Sequence, residues 1–203
     1  MRRPEPSFTR LDVEKRRRLL LAEGRALFTS HAYDEVSMAA IAKQAGISKA
    51  LLYHYFPSKQ AFFVATLQEA AQELAERVRP DPAAPPRAQL ESALGAWLEW
   101  VDANRESYGR LMRAAGAVAE VRELIDTVRE ATAALILARL GPDPAAELRA
   151  AVCGWLWFMD GVCLDWVGHG DLERDQIQAL LADALGGVLA AAGHPRLAAR
   201  LKA

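Results

Sequence analysis

Apolar residues along this chain recur mostly at intervals of three and four positions, which is the spacing of an amphipathic helix rather than of a strand. Between glycine and proline interruptions, the sequence is rich in Ala, Leu, Arg and Glu, which favour helices. The pattern predicts an all-α fold with four helices before a proline-rich stretch and five after it. The predicted helices span about 12–30, 37–44, 48–56, 59–79, 87–104, 105–115, 118–140, 144–168 and 173–192.

The segment RPDPAAPP, from Arg79 to Pro86, is the clearest candidate for a domain boundary. It holds four prolines in eight residues, and proline disfavours a continuing helix, so we expect an extended connector. The predicted organisation is a first domain at 1–58, a connecting helix and linker at 59–86, and a larger helical domain at 87–203.

The net charge of −1 hides opposite signs in the two parts of the chain. Residues 1–60 carry 11 Lys and Arg against 6 Asp and Glu, whereas residues 61–203 carry 14 against 20. From Val36 to Gln68 there are three lysines and no carboxylate. This distribution predicts that the N-terminal part alone meets a polyanion, although a solvated helix face bearing lysines would have the same composition.

Other features of the sequence favour a cytoplasmic protein that needs no metal or cofactor. The first ten residues lack the apolar middle of a signal peptide, and no apolar run is expected to reach the roughly 20 residues of a membrane span. Cys153 and Cys163 suit reduced thiols better than a disulfide framework. Metal-ligand spacings, a G-x-S-x-G elbow and a phosphate-binding loop are all missing from the sequence, which argues against an enzyme.

The stretch AAIAKQAGISKALLYHYFPSKQAF, residues 39–62, predicts two short helices joined by a glycine turn. Ser37 is placed to cap the first of these helices. On the second, Leu52, Tyr55 and Phe56 fall at i, i+3 and i+4 and predict an inward apolar stripe. The opposite, outward face carries Lys49, Ala50, Tyr53 and His54, with Leu51 at its margin. This arrangement is typical of a helix-turn-helix, whose second helix enters the major groove of DNA.

At these residues the sequence resembles the tetracycline-repressor (TetR) family of bacterial transcription regulators. The resemblance runs from about Leu20 to Phe63, through LF at 27, Tyr33, Val36-Ser37, IAKQAGIS at 41, LLYHYF at 51 and SK at 58. It implies an N-terminal three-helix DNA-binding domain, a C-terminal helical domain for ligand binding and dimerisation, and a homodimer bound to double-stranded operator DNA. Ala32 and Ala50 depart from the family, which commonly has glycine at both positions.

The resemblance also implies a role for each exposed residue of the motif. Phosphate contacts are expected from Ser48, Tyr53, His54 and Lys59, and contacts to base edges from Lys49, Ala50 and Leu51. Tyr53 as a partly buried packing residue and His54 as a solvent-facing histidine remain the alternatives. Arg2, Arg3 and Arg10 fit either an arm in a neighbouring minor groove or a tail that contacts nothing.

The penultimate predicted helix has two distinct faces. Leu148, Val152, Trp155, Met159, Val162 and Trp166 form a heptad-like stripe, and Gly154, Gly161 and Gly168 lie seven apart on the other side. The last helix repeats the stripe with Ile177, Leu181, Ala184 and Val188. One small chain cannot bury both faces of two such helices, so the glycine seam and the stripe of the last helix predict a homodimer interface. Packing within one chain is the alternative.

Large aromatic and thioether side chains concentrate in the C-terminal part. The predicted pocket for a small hydrophobic effector comprises Trp97, Trp100, Tyr108, Met112, Trp157 and Phe158. Asn104, Arg105, Arg110 and Asp160 lie near them in the sequence as candidate polar anchors. The alternative is that these aromatic residues are ordinary core.

Together these patterns predict a ligand-responsive DNA-binding transcriptional regulator, a repressor that a hydrophobic effector releases from its operator. The first rival is a lipid- or small-molecule-binding helical protein of the same fold that does not bind DNA. The acid-free stretch 36–68 argues against it, because a protein with no DNA to bind has no need to exclude carboxylates there. The second rival, a helical-bundle enzyme, would need clustered histidines or carboxylates on facing helices.

Overall fold

The computed structural model describes residues 10–31, 33–140 and 144–201, and these ranges contain α-helices and no β-strand. The predicted all-α class is therefore confirmed. The helices are α1 Arg10–Ser30, α2 Met38–Gln44, α3 Lys49–Tyr55, α4 Lys59–Arg77, α5 Pro86–Ala103, α6 Arg105–Ala117, α7 Ala119–Leu140, α8 Ala146–His169, α9 Arg174–Ala191 and α10 Pro195–Arg200. A short 3-10 helix, Tyr33–Glu35, precedes α2. The predicted pattern missed α10, which begins at Pro195, two residues after Gly193.

The chain forms two compact units that divide after Ala70, inside α4. The first unit has its own apolar core, built from α1, α2, α3 and the start of α4. Its buried members are Leu20, Leu21, Val36, Met38, Ile41, Ala42, Leu52, Phe56, Phe62 and Ala65. The inward stripe predicted for α3 thus holds for Leu52 and Phe56, whereas Tyr55 is half-buried at the edge of the core.

Local signals explain why α2 and α3 begin where they do. The Ser37 hydroxyl accepts a hydrogen bond from the backbone N–H of Ala40 at 3.1 Å, and Ser48 accepts one from Leu51 at 3.1 Å. Each such cap stabilises its helix by about 1 kcal/mol. Between the two helices, Gly46 adopts a positive φ of +65°, which glycine allows without steric cost. The turn therefore holds α3 in a fixed orientation after α2.

A glycine also allows α1 and α4 to approach closely within the first unit. A Cβ atom added at Gly24 would overlap the Phe62 ring and lie 2.9 Å from Thr66 Oγ1. The Phe62 ring is fully buried and packs edge-on against Phe56 at 4.8 Å between centroids. The missing side chain at Gly24 is therefore what lets α4 join the core beneath α3.

The second unit is a helical bundle with α8 at its centre. Its core includes Leu148, Val152, Trp155 and Trp166, which are four of the six residues of the heptad-like stripe predicted for α8. The other two, Met159 and Val162, are half-buried against it. The indole N–H of Trp155 donates to the carbonyl of Leu181 at 2.9 Å, which ties α8 to α9. Buried aromatic donors usually need such a partner, so this bond fixes the pairing of the two helices.

Helix α8 is long and apolar enough, by length and composition alone, to cross a membrane. The expectation that no segment reaches that length is wrong for this helix. Core helices of water-soluble proteins meet the same criterion, and α8 buries one apolar stripe in the bundle. Only 33% of the apolar stretch of α8 is buried within the chain, however, so the helix also presents an uncovered apolar face.

Three predictions concern residues that lie outside the described ranges. Arg2 and Arg3 of the predicted arm precede residue 10, and Ala32 falls in the gap after His31. Arg10 is the first residue of α1.

Candidate DNA interface and effector region

The outward face of α3 carries the polar residues that the sequence singled out. Lys49, Ala50, Tyr53 and His54 are exposed and Leu51 is half-exposed, while Leu52 on the opposite side is fully buried. Tyr53 is 42% exposed, so it is not a packing residue of this unit. The Lys49 ammonium lies 5.7 Å from the centroid of the Tyr53 ring, which is a cation–π distance. The face thus offers one ammonium, two hydrogen-bonding rings and small apolar side chains.

Ser48 caps α3 in addition to being a predicted phosphate contact. Its oxygen accepts the capping bond from Leu51, and its hydroxyl hydrogen is still able to donate outward. A hydroxyl at a helix start is a common phosphate ligand because it lies beside backbone N–H groups. Since α3 has only seven residues, its dipole adds little, and the side chains carry the chemistry.

Lys59 opens α4 and is held in place by Tyr33. The Lys59 ammonium donates to the Tyr33 carbonyl oxygen at 3.0 Å and lies 4.2 Å above the centroid of the Tyr33 ring. The ring is itself fixed by Phe63, at 4.9 Å, and by Phe28, at 6.4 Å. An ammonium has three donors, so Lys59 keeps hydrogen-bonding capacity for a phosphate. The sequence had marked Tyr33 only as a match to the family pattern.

In the second unit, three of the predicted pocket residues form one aromatic cluster. The rings of Trp97 and Trp100, both on α5, stack with 5.6 Å between centroids and 24° between planes. Tyr108 of α6 meets both edge-on, at 5.9 Å and 6.4 Å. Met112 packs against the same core. Four of the six residues predicted to line the effector pocket thus lie together in the second unit.

Beside this aromatic cluster lies a polar group, which we call the Asp160 centre: the buried Tyr108 and Asp160, the half-buried Arg129, and Asp126, whose side chain is 43% exposed. Asp160 of α8 is 8% exposed. Its carboxylate accepts from Arg129 Nε at 2.7 Å and from the Tyr108 hydroxyl at 3.3 Å. Arg129 also donates to Asp126 at 2.8 Å. Three helices, α6, α7 and α8, thus converge on one carboxylate.

Burial dominates the electrostatics of the Asp160 centre. It raises the pKa of the Tyr108 phenol far above its usual value, and the Asp160 charge adds to that shift. Burial also raises the pKa of Asp160, while the hydrogen bond and charge of Arg129 act against the shift. The neighbouring Cys163 thiol has its pKa raised to about 12 by burial. Tyr108 and Cys163 are therefore both protonated at neutral pH, and the phenol is a hydrogen-bond donor.

Trp157 and Phe158 do not join the aromatic cluster, which corrects the predicted pocket. They are 60% and 42% exposed and lie on the side of α8 that carries Gly154 and Gly161. Trp157 is covered on one side by the guanidinium of Arg129, 3.7 Å from its ring centroid. Residues three and four positions from Gly154 share its helix face, so the glycine pattern itself could have excluded them from the core.

Gly154, Gly161 and Gly168 lie on the exposed face of α8, where an added Cβ would meet no other atom within 4 Å. Next to Gly161 is an open groove of about 310 Å³ between α8, α9 and the turn that joins them. Phe158, Gly161, Val162, Asp165, Leu172, Ile177 and Leu180 line it. The face is therefore apolar, concave in part and uncovered in a single chain.

Apart from Ile177 at the base of the groove, the stripe of α9 does not belong to that face, which corrects part of the predicted dimer interface. Ile177 and Leu181 are 1% and 0% exposed in the core of a single chain, so no partner can bury them further. Ala184 and Val188 are half-buried against the same core. The stripe instead packs α9 onto its own chain, and the exposed α9 residue beside the groove is Leu180.

Comparisons with known proteins match both units to one family. Residues 20–66 match the family model for bacterial regulatory proteins of the tetR family, and residues 86–186 match the model for a tetracyclin repressor-like C-terminal domain. A crystal structure of a tetR-family transcriptional regulator from Streptomyces coelicolor is 31% identical, with a TM-score of 0.82 over 93% of this chain and 88% of that one. The chain belongs to the TetR family. This places it among DNA-binding transcriptional regulators and not among enzymes.

Two curated relatives match over shorter lengths. The HTH-type transcriptional activator FasR of Mycolicibacterium smegmatis is 31% identical over 101 residues, which is 49% of this chain and 46% of FasR. The nucleoid occlusion factor SlmA of Mannheimia succiniciproducens is 31% identical over 81 residues, 37% of this chain and 38% of SlmA. The chain thus spans less than half the length of these two relatives.

Sequence reasoning missed Arg129 and Asp126, which complete the Asp160 centre. Asp126 and Arg129 are three apart on α7 and pair locally, a weak signal that many surface helices share. The other suggested anchors have local partners instead. Asn104 donates to the Trp100 carbonyl, and Arg105 pairs with Asp102. Within the described ranges, no group of three His, Cys, Asp or Glu residues is placed to bind a metal ion.

Proposed function

We propose that this TetR-family chain is a homodimeric regulator that binds double-stranded operator DNA through α3 and loses that affinity when a small hydrophobic effector binds. The observation that carries the proposal is the exposed face of α3, which presents Lys49, Tyr53 and His54 within a stretch of 33 residues, 36–68, that lacks any carboxylate. A surface without negative charge is what a phosphate backbone requires. The proposed division is DNA binding at 1–58, connection at 59–86, and ligand binding and dimerisation at 87–203.

The exposed residues divide into two roles at the DNA. Tyr53, His54, Lys59 and the Ser48 hydroxyl contact phosphate oxygens, which position α3 without reading sequence. Lys49, Ala50 and Leu51, in the first turn of α3, reach base edges, with lysine suited to guanine and the two apolar side chains to a thymine methyl group.

A second copy of the chain covers the glycine face of α8. Gly154, Gly161 and Gly168 allow a neighbouring backbone to approach, and the exposed Trp157 and Phe158 supply apolar area to bury. Ala184 and Val188 contribute only their remaining exposed surface. A two-fold dimer places two α3 helices to read half-sites about 34–36 Å apart on DNA.

The effector binds in the region of Trp97, Trp100, Tyr108 and Met112, and it acts because it favours one conformation of the dimer over another. We favour repression, with release on effector binding, in the cytoplasm. The activator FasR shares part of this sequence, so activation is the alternative. A reporter measurement distinguishes the two.

The decisive experiment is selection of bound sequences from random duplex DNA by the full chain. We expect a palindromic site with half-sites about one helical turn apart. On that site Lys59→Ala should weaken binding, and the slope of log affinity against log salt should fall by about one, because one phosphate contact is lost. Lys43→Ala, which removes a lysine on the exposed side of α2, is the control for general loss of positive charge. A chain that selects no sequence while remaining folded would favour the rival, a ligand-binding protein of this fold that does not bind DNA.

A further inference from the structure

The Asp160 centre is an unusual feature for the core of a small helical unit. A carboxylate that is 8% exposed, a phenol that is 2% exposed and a guanidinium meet among apolar side chains. Buried ion pairs offset their desolvation cost poorly, and apolar side chains of similar volume are often as stabilising or more so. Packing alone therefore does not explain why polar groups stand here, and a polar group beside aromatic rings is typical of a recognition site.

The balance of charge in the Asp160 centre decides which ligand it favours. Arg129 is the cation of the centre, and its guanidinium already pairs with two carboxylates, Asp126 at 2.8 Å and Asp160 at 2.7 Å. One positive charge thus faces two negative ones: Asp160, which is buried, and Asp126, whose side chain is 43% exposed and partly screened by water. A ligand carboxylate brought to this place would meet net negative charge, whereas a ligand cation would be attracted.

The aromatic rings add a second preference in the same direction. The ring centroids of Trp97, Trp100 and Tyr108 lie 5.6, 5.9 and 6.4 Å from one another, so ring faces and edges are close together. Ring faces attract organic cations and also pack against apolar groups. The buried indole N–H of Trp97 meets no oxygen or nitrogen acceptor among the described residues, and its polar neighbour is the Cys163 thiol. The surroundings of Asp160 are therefore apolar, rich in ring faces and not fully satisfied by the chain itself.

We infer that the Asp160 centre is the polar anchor of an effector site for a lipophilic amine. The ring system or chain of the amine packs on Trp97 and Trp100, and its protonated nitrogen donates to Asp160. The inference rests on the proposed function, since it names the chemical class of the proposed effector. The amine replaces the Tyr108 hydroxyl on Asp160, because that 3.3 Å contact is the longer of the two bonds to the carboxylate, and Arg129 stays in place.

The test uses three compounds that share one ring system and differ in a single group: 2-naphthylmethylamine, 2-naphthylmethanol and 2-naphthoate. Their affinities for the DNA-free full chain are measured by calorimetry at neutral pH. We expect the amine to bind at least about tenfold more tightly than the alcohol, the scale of one charge-assisted hydrogen bond, and the carboxylate to bind most weakly. Tighter binding of the carboxylate than of the amine would overturn the inference.

Two substitutions with opposite expected effects separate recognition from a structural role. Asp160→Asn keeps the shape of the side chain and should abolish the preference for the amine over the alcohol. Tyr108→Phe removes the hydroxyl that competes for Asp160, so the amine should bind at least as tightly as to the wild type. Glu120→Gln, an exposed carboxylate in the first turn of α7, is the control and should leave all three affinities unchanged.

Folding of each variant is checked by its thermal melting curve and by binding of the selected operator without ligand. If Asp160→Asn melts like the wild type but keeps the amine preference, the amine does not pair with Asp160 and the inference fails. If Asp160→Asn does not fold, Tyr108→Phe decides, and a large loss of amine affinity in that variant is the contradicting result. If none of the three compounds binds while the operator does, the amine site is wrong and DNA binding by this chain stands.

Discussion

The two units of this chain place their polar groups in opposite ways. The first unit has a core of aliphatic and aromatic side chains and carries its lysine, tyrosine and histidine on the outer face of α3. The second unit buries a carboxylate, a phenol and a guanidinium, and exposes Trp157 at 60% and Phe158 at 42%. The first arrangement suits a rigid body that meets a polyanion at its surface. The second suits a body that meets an apolar partner at its surface and a small ligand inside.

The largest expected effect tests the apolar surface of the second unit. Gly161→Leu adds a side chain into space that is open in one chain, so the chain should fold normally yet fail to dimerise. Because two half-sites are read together, affinity for the selected operator should fall about a thousandfold, toward non-specific binding. Sedimentation reports the oligomeric state and a gel-shift titration reports the affinity.

Gly116→Leu is the matched control for that prediction. Gly116 is also an exposed helical glycine at which an added Cβ meets nothing within 4 Å, and it lies on α6 rather than α8. It should leave the dimer and the operator affinity unchanged. An intact dimer for Gly161→Leu would mean that another face forms the interface. The dimer would then not explain why Trp157 is exposed in a single chain.

The second prediction tests the surface of the first unit. Lys49→Ala should change which base is preferred at one position of each half-site, at about 1–3 kcal/mol, because a lysine contact to a base edge is lost. Binding to non-specific DNA should change far less. Repeating the selection from random DNA with the variant measures both. Lys43→Ala, on the exposed side of α2, controls for loss of a lysine charge near the DNA. Equal weakening on all sequences would assign Lys49 to a phosphate.

The two units also differ in how far the sequence alone could predict them. For α2 and α3, periodicity, the caps Ser37 and Ser48 and the turn at Gly46 are all local signals, and the structure follows them closely. In α8 both sides of the helix are apolar, so periodicity could not by itself show that Trp157 and Phe158 face outward. The Asp160–Arg129 pair joins residues 31 positions apart on two helices, and no local pattern encodes which side chains meet across a bundle.

The third prediction concerns the packing of the first unit. Gly24→Ala puts a methyl group into the Phe62 ring, and overpacking of a close core costs typically about 1–3 kcal/mol. The helix propensity of alanine offsets up to about 1 kcal/mol of this. We therefore expect a net loss of about 0–2 kcal/mol in the free energy of unfolding, measured in urea. The loss should lie near the upper end of this range, because the added Cβ would overlap the Phe62 ring. Gly116→Ala, where the methyl group meets nothing, should be neutral or slightly stabilising. A stabilised Gly24→Ala would mean that α1 and α4 are further apart than the structure has them.

The smallest expected effect also concerns the surface of the first unit. It tests whether the Tyr33 ring must hold the Lys59 side chain in place for DNA binding. The Tyr33 ring lies 4.2 Å from the Lys59 ammonium, and an exposed cation–π contact contributes about 0.5–1 kcal/mol. Tyr33→Leu removes the ring and leaves the backbone carbonyl, so operator affinity should fall by about two- to fivefold through a less ordered Lys59. Tyr33→Phe keeps the ring and should bind like the wild type.

The double variant shows whether Tyr33 acts through Lys59. In the Lys59→Ala background the Tyr33→Leu change should have no further effect on affinity, since the Lys59 side chain that the Tyr33 ring positions is gone. If Tyr33→Leu weakens binding equally with and without Lys59, Tyr33 acts only through the fold of the first unit.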